Sequence, residues 1–352
     1  MSASSEGLIK GVRLRSATAL VIANMIGAGI FTSTGFQAAD LGHPGLIFAL
    51  WIVGGMLALC GAMCFAELGA AMPQAGGEYV YLRETYGPAL GFMSAFISII
   101  AGFSAPIAVA LKSLVRYLSY FVPQLESAPV ADGAAVILVW ILVGVHMRGV
   151  KGGVGFNDFV TLFKVSGIVL ILMATLLLGR GNVSNITHVA PNFDDLSNAS
   201  LFAAMGTSLI FVNFCYLGWN AAAYMAAEMY EPQRDLPRAL ILGTIFVTLL
   251  YLGLNLVYFY GAPAEELAGK LEVGLVAARN LFGDTGVTLM TLVLCISIFA
   301  SASAMTIVGP RVYYAFGLDF RPMRKLSYAL PSTGAHRTAR DRVCRGCSAG
   351  DA

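Results

Sequence analysis

Asn24-Met25-Ile26-Gly27-Ala28-Gly29-Ile30-Phe31-Thr32-Ser33-Thr34 lies inside the first long apolar run of the chain, Ala17 to Ala39. Gly27 and Gly29 are the weakest helix formers short of proline. They fall where a membrane helix would cross the middle of the bilayer. A break there frees backbone N–H and C=O groups in a place with almost no water. Such groups are tolerated only where they line a protein cavity or hold a ligand. The stretch therefore reads as a discontinuous helix with backbone free at mid-membrane depth. The competing reading is an unbroken helix with a glycine packing face, since glycine is common in membrane helices.

The rest of the chain supplies the membrane. Of 352 residues, 57% are hydrophobic and 12% charged, against about 25% charged in a soluble domain. This is the composition of an all-α, polytopic membrane protein whose surroundings are a lipid bilayer. A net charge of +2 gives no reason to expect nucleic acid. Lys10, Arg13 and Arg15 ahead of the first run imitate a secretory signal, but no small-residue cleavage site follows, so the run is retained. Cys60, Cys64, Cys215 and Cys295 lie in apolar spans, where cysteine acts as a small hydrophobe.

Runs long enough to cross about 30 Å of hydrocarbon occur at roughly 16–39, 45–72, 88–121, 133–147, 156–179, 200–228, 237–261 and 286–317, eight in all. Lys10, Arg13, Arg15, Arg83, Arg148, Lys151, Arg234, Arg238 and Arg311 fall on one side; Arg180, Lys270 and Arg279 fall on the other. That bias places the N-terminus in the cytoplasm of a cell bounded by a plasma or inner membrane. The expected division is a cytoplasmic N-terminus at 1–15, a membrane domain at 16–317 and a basic, disordered tail at 318–352.

Within the second run, Gly54, Ala58, Ala62, Ala66 and Ala70 recur at every fourth position, a stripe that lets another helix approach closely. After Pro73, the segment Gly76–Pro88 reads as a short amphipathic helix along the inner surface, either a gate or a plain connector. The sixth run repeats the opening theme in Phe214-Cys215-Tyr216-Leu217-Gly218-Trp219-Asn220. Two glycine-interrupted helices, each opening a five-helix block, point to a transporter site between inverted repeats. Packing alone is the plainer reading of Trp219 and Asn220. Lys164 lies well inside the fifth run, where an ammonium is costly unless paired or hydrated. It either snorkels to the surface or serves as a proton carrier. No His, Asp and Glu cluster with metal-ligand spacing falls within the spans, so no catalytic residue, metal or cofactor is expected.

With these residues in place, the chain resembles the amino acid–polyamine–organocation family of amino acid permeases from about Leu14 to Phe316. The resemblance is carried by Ile-Gly-Ala-Gly-Ile-Phe at 26–31, by Ala66-Glu67-Leu68-Gly69 with Met72-Pro73-Gln74-Ala75-Gly76-Gly77-Glu78-Tyr79-Val80-Tyr81, and by Glu228-Met229-Tyr230-Glu231-Pro232-Gln233-Arg234-Asp235-Leu236-Pro237-Arg238-Ala239. It implies a leucine-transporter-like bundle of inverted repeats and alternating-access transport of amino acids, proton-coupled or by exchange. It also implies that the amides of Gly27, Ala28 and Gly29, within Ile26–Ile30, hold a substrate carboxylate. The carbonyls of Met25, Phe214 and Leu217 would then hold its ammonium, with Cys215, Gly218, Trp219 and Asn220 around them. Lys164 matches a lysine that stands in for a sodium ion, expected against the carbonyl of Ala23 and the hydroxyls of Ser297 or Ser301.

The family pattern departs near Gly317, leaving the second repeat incomplete, as a truncated or frame-shifted gene would. The alternatives to a working transporter are an inactive fragment and, more remotely, a membrane enzyme. The substrate side chain and the oligomeric state are not legible.

Overall fold

The computed structural model describes residues 8–193 and 197–327. Residues 1–7 of the expected N-terminal segment lie outside the described residues. So does the expected tail from residue 328 on, with Cys344 and Cys347.

In chain order the helices are α1 (Leu14–Met25), α2 (Ser33–Leu41), α3 (Pro44–Ala71), α4 (Glu78–Tyr86), α5 (Pro88–Ile97), α6 (Ala105–Leu118), α7 (Ala128–His146), α8 (Val150–Leu178), α9 (Ser184–Thr187), α10 (Asn198–Tyr216), α11 (Pro232–Gly261), α12 (Ala264–Leu267), α13 (Val273–Val308) and α14 (Pro310–Asp319). Among the described residues there is no strand, only an isolated bridge between Val12 and Met229.

Among the described residues, seven helical stretches are long and apolar enough to cross a membrane: Pro44–Ala71, Pro88–Leu118, Ala128–His146, Val150–Leu178, Asn198–Glu228, Pro232–Gly261 and Val273–Asp319. The first expected run is missing from that set because it is split, into 12 residues of α1 and 9 of α2. The protein is thus an all-α, multi-pass membrane protein.

Local chemistry sets the element ends. His43 opens α3, its Nδ1 accepting the Leu46 N–H at 3.2 Å, and Pro44 fills the first turn, where a missing N–H costs nothing. The π turn at Ser98–Ser104 joins α5 to α6 just before Pro106, which has no N–H to bond back to the preceding turn. Gly283, at φ 67°, kinks α13, so its first ten residues form a separate arm before the crossing begins.

Glycines of α3, Gly54 in the stripe and Gly55 and Gly69 beside it, admit neighbouring helices closely. A Cβ on Gly54 would strike Val212, one on Gly55 would strike Thr248, and one on Gly69 would strike Leu236. Helices α10 and α11 therefore lie directly against α3.

The end of the bundle where α1 starts is closed by polar contacts. The Glu228 carboxylate takes both arms of Arg311 at 2.9 and 3.0 Å. The Glu228 carbonyl accepts the N–H groups of Gly11 and Val12. The amphipathic α4 lies here. Tyr224 donates to Glu78 at 2.7 Å, and Asp319 receives both Tyr79, at 2.6 Å, and Arg83. Burial and the Asp319 carboxylate push the Tyr79 hydroxyl above its ordinary pKa. For Arg83, burial works against the charge, but Glu84 and Asp319 outweigh it and hold the guanidinium protonated.

Candidate functional site at two helix breaks

The site begins where α1 stops being a helix. Gly27 N–H turns back to the Met25 carbonyl at 3.0 Å, so it no longer reaches Ala23. Helical bonding resumes as a single 3-10 turn, with Phe31 N–H on Ala28 and Thr32 N–H on Gly29. Among the described residues, the amides of Ala28, Gly29 and Ile30 donate to no backbone carbonyl. Gly27, Ala28 and Gly29 are half-buried, whereas Met25, Ile26 and Ile30 are buried. Free N–H groups at the start of a helical segment favour an anion. The Gly27 amide differs from the expected set: its hydrogen is already placed on Met25, and the Ile30 amide is free in its stead.

The second break follows α10. Leu217 is extended (ψ 145°), Gly218 takes φ 103°, and the chain continues as a 3-10 helix over Ala221–Glu228. The two breaks face each other. A Cβ on Gly218 would come within 2.9 Å of the Asn24 side-chain nitrogen, and one on Gly29 within 2.9 Å of the Cys215 sulfur. Cys215 also lies 3.0 Å from the Ser33 hydroxyl. Asn24 is 9% exposed, and its side-chain oxygen has no hydrogen-bond partner among the described residues. One half-open region is thus bordered by free amides from the first break and by backbone from the second.

Other expected residues fall differently. Phe214 and Leu217 expose 68% and 58% of their surface, so only their backbone faces the break. The Phe214 carbonyl accepts Leu217 N–H at 3.3 Å. Tyr216 is buried and donates to the Trp51 carbonyl, away from the break. Trp219 stacks edge-on against Phe65, with ring centroids 4.9 Å apart, over Gly61. Asn220 reaches Tyr224 at 3.4 Å.

Lys164 lies 14 positions past Val150 in a 29-residue helix, roughly 21 Å from its start. It does not snorkel. Its side chain is fully buried and donates to the Ala23 carbonyl at 2.9 Å and to the Ile26 carbonyl. The break makes this contact: with Gly27 N–H diverted, the Ala23 carbonyl has lost its helical partner. The expected bonds to α13 are not made. Ser297 Oγ is buried without a hydrogen-bond partner among the described residues, and Ser301 instead borders Gly27, its oxygen 3.8 Å from where a Cβ would be.

Two residues of α11 belong to this region and carry no sequence motif. Asn255 accepts from Thr34 at 2.7 Å, and the Tyr251 hydroxyl lies between the two breaks. Their spacing of one helical turn inside an apolar span was the available signal, because intramembrane polar groups are rarely idle. A cavity of about 950 Å³ lies elsewhere, between α8 and α13, among Leu170, Leu178 and Leu289, and none of the expected substrate residues lines it.

The sequence model described as amino acid permease matches residues 13–319. The serine/threonine exchanger SteT of Bacillus subtilis is 30% identical, the alignment covering 94% of this chain and 74% of that protein. The b(0,+)-type amino acid transporter 1 of Rattus norvegicus is 29% identical, over 92% of this chain and 66% of its own. The large neutral amino acids transporter small subunit 2 of the same species is 27% identical, over 89% and 60%. This chain therefore spans about three-fifths to three-quarters of the length of these relatives. With residues 13–319 inside the family match, the chain belongs to the amino acid permease family.

Proposed function

We propose that the protein is a secondary transporter of amino acids, working by alternating access, with its N-terminus and the Glu228–Arg311 closure on the cytoplasmic side of a plasma or inner membrane. The observation that carries this reading is the meeting of two helix breaks across Gly29–Cys215 and Asn24–Gly218. Free amides on one side suit a carboxylate and freed carbonyls suit an ammonium, so a zwitterion fits without a charged side chain. Two of the three relatives bear the names of a serine/threonine exchanger and a large neutral amino acids transporter. Neither break offers a carboxylate side chain. A neutral amino acid of moderate size is therefore the favoured substrate over arginine or a polyamine.

Lys164 supplies the coupling in this account. Protonated, it ties α8 to the freed carbonyls of Ala23 and Ile26; deprotonated, it releases them, linking a proton to the change of access. The test uses the purified chain in proteoliposomes, with leucine and arginine as competing ligands across a pH series. Leucine should compete the better, and Lys164→Gln should retain leucine binding while flattening its pH profile. Preference for arginine would overturn the substrate reading; a variant with the parent's pH profile would overturn the role of Lys164.

A further inference from the structure

Helices α8 and α13 part at the end of the bundle away from the Glu228–Arg311 closure. Ser16 donates to Asp158 at 2.6 Å, which sets the start of α8 beside the start of α1 and Leu178 at the opposite face. There Gly283, at φ 67°, turns the arm of α13 off the line of the crossing. A Cβ on Gly286 would strike the Ala278 carbonyl, so the arm is folded closely on its own helix. The turn leaves the cavity of about 950 Å³, at the large end of the roughly 300–1,000 Å³ of ligand-sized cavities. Ser166, Gly167 and Ala174 make room on its α8 side, and Leu289, Leu292 and Ile296 line its α13 side. It is a groove open to the side, because Phe163, Leu170, Leu178, Leu289 and Leu292 are all exposed. From Phe163 to Leu178, α8 runs roughly 22 Å. One leaflet's share of the hydrocarbon is about 15 Å, so the groove is deep enough for the length of an acyl chain.

The charge at its end is one-sided. Arg180, just beyond α8, and Arg279, in the arm, both line the groove and are exposed. Among the described residues neither is in an ion pair. No carboxylate lines the groove: Asp284 follows the kink outside it, and Glu266 is taken up by Asn280 at 3.0 Å. We propose that the groove is a binding site for an anionic phospholipid, with an acyl chain along α8 and α13 and the headgroup phosphate between Arg180 and Arg279. Guanidinium groups match phosphate oxygens in geometry and keep their charge at the membrane surface. A zwitterionic headgroup offers the same phosphate but brings a cation toward two arginines, so net headgroup charge decides between lipids. The site requires only the membrane setting and is independent of the transport reading.

The test places the full chain in nanodiscs of phosphatidylglycerol and phosphatidylcholine in equal amounts and counts the lipids it retains by native mass spectrometry. The parent should retain phosphatidylglycerol about tenfold over phosphatidylcholine. The double variant Arg180→Gln with Arg279→Gln should bring that ratio close to one. Both arginines are exposed, so the double variant keeps its packing. Ala174→Trp fills the groove without touching the charges and should reduce retention of both lipids. A phosphatidylglycerol with a photoreactive group at the chain end reports the place, and its cross-links should fall within 163–178 and 285–296. Equal retention of the two lipids by the parent overturns the proposal, as does an undiminished preference in the double variant. Cross-links confined to other helices overturn it too, by placing the lipid elsewhere. Cross-links between two copies through α8 and α13, with no lipid retained, would make the groove a protein interface and equally overturn it.

Discussion

Glu228→Ala is expected to destabilise the protein by about 3–5 kcal/mol, because it leaves a buried guanidinium without its partner. The Glu228 side chain is 3% exposed and that of Arg311 is 15% exposed, with the carboxylate gripped by two arms of the arginine. The residue has a second duty. Its carbonyl receives Gly11 and Val12, which fixes the segment before α1 onto the end of the second broken helix. Loss of the side chain should therefore loosen the closure at this end as well as lower stability. Denaturant unfolding of the purified chain measures the first effect. Replacing both partners, Glu228→Gln with Arg311→Met, should recover part of the loss, since no buried charge then remains unpaired. A single variant within about 1 kcal/mol of the parent would show that water already reaches the pair.

Gly218→Ala is expected to weaken leucine binding by about thirtyfold or more, from two additive causes. At φ 103° any L side chain is strained, at roughly 1–2 kcal/mol. The new Cβ would also lie 2.9 Å from the Asn24 side-chain nitrogen and 3.0 Å from its carbonyl carbon. Much of the second contact is with backbone, so the first break must move away from the second. The control is Gly206→Ala in α10, where a Cβ meets nothing within 4 Å. That variant should bind as the parent does. Parental affinity in Gly218→Ala would mean that the two breaks do not act as one site.

How far the sequence carried this account depends on what each feature requires. The breaks were legible because two glycine-interrupted runs each open a five-helix block; a glycine by itself serves packing as readily, as Gly54 does in α3. The amphipathic segment after Pro73 was legible for a similar reason: Glu78, Arg83 and Glu84 alternate with Tyr79 and Tyr81 at helical spacing, and α4 forms over Glu78–Tyr86. Helix starts were read late wherever polar residues precede the apolar core. Lys151, Gly152 and Gly153 hid the first turns of α8, and Arg279 and Asn280 hid the arm of α13.

For Lys164 the residues left snorkelling and a buried proton carrier both open, and the resemblance named its partners only in part. The carbonyls of Ala23 and Ile26 are set free by the local turn at Gly27, and the pattern of residues alone does not say which amide turns back. Of Tyr251 the sequence offered only its one-turn spacing from Asn255 inside an apolar span. Its importance comes from where α11 passes the ends of α1 and α10, a distance relation with no local sequence signature.

The central claim is that the amides freed at the first break hold the substrate carboxylate, and labelling tests it directly. Gly–Ile pairs occur twice in the chain, at Gly29–Ile30 and Gly167–Ile168. Carbonyl-13C glycine with amide-15N isoleucine therefore gives two selected amide signals, one at the break and one inside α8 as an internal reference. On titration with leucine the Ile30 amide should move downfield and saturate with the binding isotherm, as an N–H gaining a charged acceptor does, while Ile168 keeps its helical position. Saturable leucine binding with an unmoved Ile30 signal would contradict the account.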